Sequence, residues 1–370
     1  MRTLSPLSET SPHDPATRPV GTRLALVDVP VPEPGSGQVL IRVLAAGVNR
    51  ADVAQARGRY APPAGVPVTL GLACAGTVAS VGPEVTRWHE GDAVCALVVG
   101  GACADFCLAD EGAVMRLPLT ELDPAADPRY HPGFSPLSAP EALEERMPRE
   151  AAPFAAGAIL VEAAATTWHN LVEIGGLSTE PEQNEGRIVL IHGGTGNVGS
   201  VAIQIARALG ARVLATAGTP ERALSCVTLG AEAALDRHDD LPAFVKAQTE
   251  RRGADIVLNV AGAASFADDV KVLANRGTLA VIGLLGGTYA EADLERMLAH
   301  DLTVHAGTLR SQAPAVKARI CDALETHVWP LVRRGLVRPA LAGVWRLDQA
   351  DGAHEAVLHG GGIGAHVLLP

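Results

Sequence analysis

The run His192-Gly193-Gly194-Thr195-Gly196-Asn197-Val198-Gly199 carries the clearest chemistry in this chain. Gly194, Gly196 and Gly199 satisfy the G-x-G-x-x-G spacing. An apolar stretch, Ile188-Val189-Leu190-Ile191, precedes them, and an amphipathic one follows, in which Val198, Val201, Ala202, Ile205, Ala208 and Leu209 share a helical face. Strand, tight turn and helix in that order present the free N–H groups of a helix start to an anion. Missing side chains let the backbone approach a pyrophosphate and let the helix pack close to the strand. Gly194, Thr195, Gly196, Asn197, Val198 and Gly199 are therefore the dinucleotide-binding candidates.

The next strand chooses the cofactor. Sites for NAD carry an acid at its end, about 20 residues on, to hold the ribose hydroxyls. Here that end reads Thr216-Ala217-Gly218-Thr219, with Arg222 just beyond and Arg237 near the end of the following strand. Guanidinium groups without an acid favour the 2′-phosphate of NADPH. Glu221 complicates the reading by offering Arg222 a competing partner.

Other chemistry is scarce. Cysteines stand at 74, 95, 103, 107, 226 and 321 without zinc-site spacing and read as small buried hydrophobes. The 12 histidines show no ligand spacing, and His192 reads as a strand-end residue. No Ser-Tyr-Lys or Ser-His-Asp arrangement supplies a general acid or a nucleophile. A formal charge of −11 disfavours nucleic acid and anionic membranes. No apolar run approaches the ~18 residues of a membrane span, and Met1 to Val20 lacks a signal pattern. The expectation is a cytoplasmic protein that binds neither membrane nor nucleic acid.

These residues need elements to hold them. At 370 residues two domains are expected. From Leu24 to Leu117 short apolar runs, such as Val39–Val43, Gly76–Val81 and Ala93–Val98, alternate with Gly and Pro turns, which predicts an all-β segment. Residues 118–150 are rich in Pro, Glu and Asp and read as an insertion or linker. Beyond 151, strands and helices alternate: Arg212–Ala215, Asp255–Val260 and Thr278–Ile282 join Ile188–Ile191 as strands of a parallel sheet. A helix is expected near Ala315–Arg334, then short strands. The fold class is α/β: a β domain plus a doubly wound Rossmann domain.

A family resemblance rests on Gly47-Val48-Asn49-Arg50-Ala51-Asp52, on Gly58-Arg59-Tyr60-Ala61-Pro62-Pro63, and on Leu70 to Gly76. The glycine loop, Gly307 to Ser311, Val328 to Leu331 and Ile363-Gly364 extend it. Together these resemble the zinc-independent, zeta-crystallin-like quinone oxidoreductases of the medium-chain dehydrogenase/reductase superfamily, over residues 24–117 and 151–370. Asn49 and Leu72 stand where zinc-containing relatives hold Cys and His, so the resemblance implies no metal. Ala73 replaces a common Glu, Asn197 a common Gly, and Ala365 a common Lys; the loop Ser178–Gly186 is extra.

The resemblance implies a GroES-like domain of residues 1–150 and 309–370, a Rossmann domain of 151–308, and an active cleft where they meet. It implies hydride transfer from NADPH to a quinone, with Asn49 and Tyr60 at the acceptor. Thr166, Gly283 and Leu284 would hold the nicotinamide, with Thr308 and Arg310 nearby and Asn259 at its ribose. Asp52 is more a helix cap than a substrate contact. Relatives imply a homodimer, with Leu302-Thr303-Val304-His305 as the edge strand. An enal or enone reductase and a non-catalytic NADPH-binding protein are the alternatives.

Overall fold

The alternating runs of the first part become β1 (Arg2–Pro6), β2 (Leu24–Asp28), β3 (Gln38–Val48), β4 (Ala73–Val81), β5 (Ala93–Leu97), β6 (Phe106–Asp110) and β7 (Val114–Arg116). The structure is a computed structural model that describes residues 1–6, 24–63, 66, 68–118 and 147–370. Most of the expected insertion at 118–150 thus lies outside the described residues. The strand around Val39–Val43 is longer than its apolar run predicts. It extends to Val48 because three neighbours share its length: β6 pairs with Gln38–Arg42, β4 with Val39–Ala46, and the C-terminal β15 (Ala365–Leu369) with Ala46–Val48. The segment is also not purely β, since Arg50–Ala56 is a helix whose N-cap is Asn49.

With β14 (Leu341–Arg346), the main sheet runs β14-β15-β3-β4-β5-β7, and β6 pairs β3. Val39, Ile41, Cys74, Val94, Cys107 and Leu368 lie in its core, joined by Trp88. All six cysteines are buried and free, as small hydrophobes would be. Burial pushes the Cys226 and Cys321 thiols up to about 12.

Among the described residues the second sheet holds β8 (Ile188–Ile191), β9 (Arg212–Ala217), β10 (Ala233–Asp236), β11 (Ala254–Asn259), β12 (Leu273–Val281) and β13 (Thr303–Ala306). Their order is β10-β9-β8-β11-β12-β13, and every pairing is parallel. Chain order reverses direction between β8 and β11, so the crevice for a ligand opens beyond the carboxyl end of β8. The helix Asn197–Ala208 is buried on more than the predicted face, because Ile203 and Ala206 are enclosed as well.

The chain divides into two compact units. One is Met1–Glu162, Arg310–Gly335 and Pro339–Pro370; the other is Ala163–Leu309 and Leu336–Arg338. The division falls inside the helix Ala152–Thr167 instead of at residue 150. The reason is packing: a Cβ on Gly157 would touch Leu117, Cys95 and Ala75, and one on Gly47 would lie 2.7 Å from the Ala158 carbonyl oxygen. Contrary to the expectation from the sequence, one run, the helical Arg149–Ile174, is long and apolar enough to cross a membrane by length and composition, because it tolerates the single charge of Glu162 within its apolar stretch. Its most apolar window is 78% buried, as in the core helix of a globular protein.

Two buried histidines make the first unit acid-sensitive. His366 accepts the Trp345 indole N–H through Nδ1 at 3.1 Å, and burial lowers its pKa to about 4, as it does that of His354. Both must charge on unfolding, so their stabilisation is complete above pH 6.5 and is lost as the pH falls to 4. Burial pushes the Asp52 carboxyl the other way, up to about 6, so Asp52 gains stability over pH 6 to 3.8. At 1.36 kcal/mol per unit, each histidine loses and Asp52 returns about 3 kcal/mol. The net expectation is a loss of about 3 kcal/mol between pH 7 and pH 4. Urea denaturation at the two values should show it, most of all beside a His354→Leu variant with a flatter profile; coincident midpoints would refute it.

Candidate active site

The glycine loop leaves β8 through Gly193, whose φ of 66° suits glycine. The Gly193 carbonyl accepts the Gly196 N–H at 2.9 Å, closing a tight turn before the helix Asn197–Ala208. A Cβ on Gly199 would lie 2.3 Å from the Gly193 oxygen and 2.8 Å from the Gly194 Cα. A Cβ on Gly194 would lie 2.7 Å from the Cys226 sulfur. The three motif glycines are thus not equivalent: Gly199 lets the loop close on itself and Gly194 lets it pack against Cys226, Ile203 and Ala215, whereas a Cβ on Gly196 would meet nothing nearer than 3.3 Å. Thr195 is buried, and Val198 is half-buried beyond it.

A buried polar network fastens this loop. His192 Nδ1 bonds the Thr216 hydroxyl at 2.8 Å and His192 Nε2 bonds Asp269 at 2.7 Å. Asp269 is fully buried and also accepts from the Asn259 amide at 2.7 Å and the Ser265 hydroxyl at 3.0 Å. The Gly194 N–H donates to the Thr216 carbonyl at 2.9 Å. The ends of β8, β9 and β11 are laced together, β9 through His192 and β11 through the Asp269 carboxylate that His192 also bonds. His192 is therefore more than a strand-end residue. The signal for Asp269 was present in the sequence: it is an acid three residues after Phe266 and one before Val270, on the side of the helix Ala263–Val272 that packs inward.

Asn259 does not stand ready for a ribose. It is fully buried, its amide N–H groups go to Asp269 and the Gly262 carbonyl, and its oxygen accepts the Gly262 N–H at 2.6 Å. Its work is to shape the turn after β11. The remaining candidates in this unit follow strand ends: Arg222 after β9, Arg237 after β10, Gly283 and Leu284 after β12, and Thr308 after β13. All lie on the carboxyl side of the parallel sheet, with the glycine loop. Arg222 sits in the first turn of the helix Pro220–Leu229, capped by the Thr219 hydroxyl. Arg237 is exposed, and its guanidinium carbon would be 3.9 Å from a Cβ on Gly218, so it lies beside the end of β9. Asp236, one strand over, turns Oδ1 to the His238 N–H at 3.0 Å. Leu284 is half exposed, and Thr166 is buried on the helix Ala152–Thr167.

The other unit gathers Asn49, Asp52, Tyr60 and Arg310. Asp52 is fully buried and accepts the Asn49 N–H at 2.8 Å and the Gly71 N–H at 3.1 Å. It caps the helix, as expected, and also anchors Gly71, whose φ of 104° brings it against Cys103. The Arg310 guanidinium lies 5.2 Å from the centre of the Tyr60 ring. Its Nε donates to the Val99 carbonyl at 2.7 Å. Arg310 thus sits with the acceptor-side residues of its own unit.

Comparison with known proteins now bears on this arrangement. Residues 35–119 match the alcohol dehydrogenase GroES-like domain, and residues 197–325 match the zinc-binding dehydrogenase family. The chain is 28% identical over 347 residues to the quinone oxidoreductase of Mus musculus, covering 92% of each. It is a quinone oxidoreductase-like member of the medium-chain dehydrogenase/reductase superfamily. This superfamily member is also 36% identical over 252 residues to the phthioceranic/hydroxyphthioceranic acid synthase of Mycobacterium tuberculosis, a match over 68% of the chain. It spans only 10% of that synthase's length. A mycobacterial protein solved in complex with NADPH shares the fold at 25% identity and a TM-score of 0.76, with 100% of both chains covered.

A zinc ion does not fit this member of the superfamily. The buried side chains at the two positions in question are the Asn49 amide and the Leu72 isobutyl group, neither a thiolate nor an imidazole. Among the described residues no three His, Cys, Asp or Glu side chains converge to hold a metal. A cavity of about 690 Å³ lies apart from the glycine loop, at the amino-terminal ends of β11 and β12. Its Arg252, Lys271 and Arg296 are already engaged by Asp255, by Asp268 and by backbone carbonyls, so it is no rival to the crevice.

Proposed function

We propose that this chain is an NADPH-dependent, zinc-independent reductase that passes a hydride to a quinone or a related conjugated carbonyl compound. The observation that carries the reading is the glycine cradle, closed so tightly that a Cβ at Gly199 has no room, at the switch point of a parallel sheet. Its relative in Mus musculus is named a quinone oxidoreductase, and its mycobacterial neighbour was solved with NADPH.

The N–H groups at the start of the helix Asn197–Ala208 would hold the pyrophosphate, and Arg222 and Arg237 the 2′-phosphate. Thr166, Gly283, Leu284 and Thr308 are assigned to the nicotinamide half. When bound, the reduced nicotinamide supplies a hydride. Asn49 and Tyr60 orient the acceptor and hydrogen-bond the oxygen that gains charge. No protein acid is required, since a reduced quinone takes its proton from water. A cytoplasmic homodimer completes the proposal: β13 is an edge strand with half-exposed Val304, and Leu294 and Leu298 are exposed on the helix just before it.

Oxidation of NADPH in the presence of ortho-quinones, para-quinones and conjugated enals tests the reading. Turnover of enals alone would move the substrate to carbon–carbon double bonds, and no turnover would leave a binding protein. Arg222→Ala is expected to weaken NADPH by roughly 1.5–3 kcal/mol, the range for a charged hydrogen bond, and to leave NADH affinity nearly unchanged. Equal losses for both cofactors would show that Arg222 does not read the phosphate.

A further inference from the structure

Arg310 is 6% exposed, and neither terminal guanidinium nitrogen, Nη1 or Nη2, has a hydrogen-bond partner. Its Nε is spent on the Val99 carbonyl, which fixes the plane of the group. Asp52 feels its charge but gives its two oxygens to the N–H groups of Asn49 and Gly71 instead. Lys317, also buried, donates to the Arg310 carbonyl at 3.4 Å and adds a second cation to the neighbourhood. The half-exposed ring of Tyr60 covers the guanidinium face. A stacked ring and a carboxylate that is not hydrogen-bonded to it compensate an enclosed cation only in part, and buried donors left without hydrogen-bond partners are costly. Two parallel, unpaired N–H donors on an anchored guanidinium match the two oxygens of a carboxylate.

We infer that Arg310 is a receptor for a carboxylate on the acceptor, so that carboxylate-bearing quinones or conjugated carbonyl compounds are the preferred substrate class. The inference rests on the reductase reading and narrows it. Tyr60 swings aside as the carboxylate reaches the fork, and its ring then flanks the conjugated system. A neutral acceptor leaves both terminal guanidinium nitrogens without a charged partner and binds less well.

Two measurements test this. In the first, NADPH oxidation is followed with a 1,4-naphthoquinone and with the same ring bearing a carboxylate. The ratio of kcat/KM, carboxylate over neutral, should be at least ~10 in the wild type. It should fall at least ~10-fold in Arg310→Gln, with Arg310→Lys between, since that change keeps the charge and loses the fork. A wild-type ratio near one, or an unchanged ratio in Arg310→Gln, overturns the inference. In the second, binding of benzoate and benzamide is measured by calorimetry on wild type and variants. Benzoate should bind, benzamide should not, and Arg310→Gln should lose the benzoate. If neither quinone is consumed, the reductase reading fails, while selective benzoate binding still supports the carboxylate receptor and its absence overturns it. Weakened NADPH binding in Arg310→Gln with benzoate binding intact would return Arg310 to the cofactor and also overturn it. Should Arg310→Gln fail to fold, Arg310→Lys alone decides, by a clear loss in either measurement.

Discussion

Gly199→Ala is expected to lower NADPH affinity by at least ~100-fold, about 2.7 kcal/mol. The new methyl group would sit 2.3 Å from the Gly193 carbonyl oxygen and 2.8 Å from the Gly194 Cα, and both are backbone atoms that cannot rotate away. The loop must open by about 1 Å to restore a normal contact. That movement breaks the Gly193–Gly196 turn and tilts the N–H groups meant for the pyrophosphate. Overpacking of this kind also costs roughly 1–3 kcal/mol of stability. Gly196→Ala is the milder comparison for stability, since its Cβ would stop 3.3 Å from the Gly193 oxygen, a tight contact that a shift of a few tenths of an ångström relieves, and its φ of −74° suits alanine. Fluorescence titration of NADPH beside a thermal melt checks the pair. Wild-type affinity in Gly199→Ala would remove the steric argument for the cradle.

The second large effect is expected at Asp269, which touches no ligand. Asp269→Ala strips the shared acceptor from His192, Asn259 and Ser265, so that each of the two enclosed side chains, His192 and Asn259, loses one of its hydrogen bonds. Breaking a buried charged network by removing one partner costs roughly 3–5 kcal/mol. In a unit of this size that is a fall in Tm on the order of 10 °C. Asp269→Asn keeps the shape and part of the bonding, so its loss should be smaller. NADPH affinity should fall with stability in both variants, because Thr216, a partner of His192, also accepts the Gly194 N–H. A melt for Asp269→Ala within 2–3 °C of the wild type would show that the network is not structural.

The acceptor-side residues show how much came from resemblance rather than from pattern. Asn49, Tyr60 and Arg310 lie in no shared period or spacing, and only family motifs singled them out. The resemblance sets Arg310 near the nicotinamide, and the structure adds the neighbours Tyr60 and Val99 that no motif names. The resemblance places Asn259 at a ribose, and the fold encloses it with Asp269. Chain neighbours do not reveal such partners, because 211 residues separate Arg310 from Val99.

What the sequence determined by itself was local. A strand, a glycine turn and an amphipathic helix are each written in adjacent residues, through steric freedom at glycine and a 3.6-residue apolar period. The parallel sheet and the dinucleotide crevice follow from alternation of such units. Burial and partnership were decided by the tertiary structure alone. The length of β3 depends on three strands that meet it from distant parts of the chain. The loop's support depends on an acid 77 residues from His192, and the unpaired guanidinium of Arg310 on which carbonyls and carboxylates happen to face it. Free energies of polar groups turn on solvent exclusion and on the geometry of through-space neighbours, and neither is encoded in the spacing of residues along a chain.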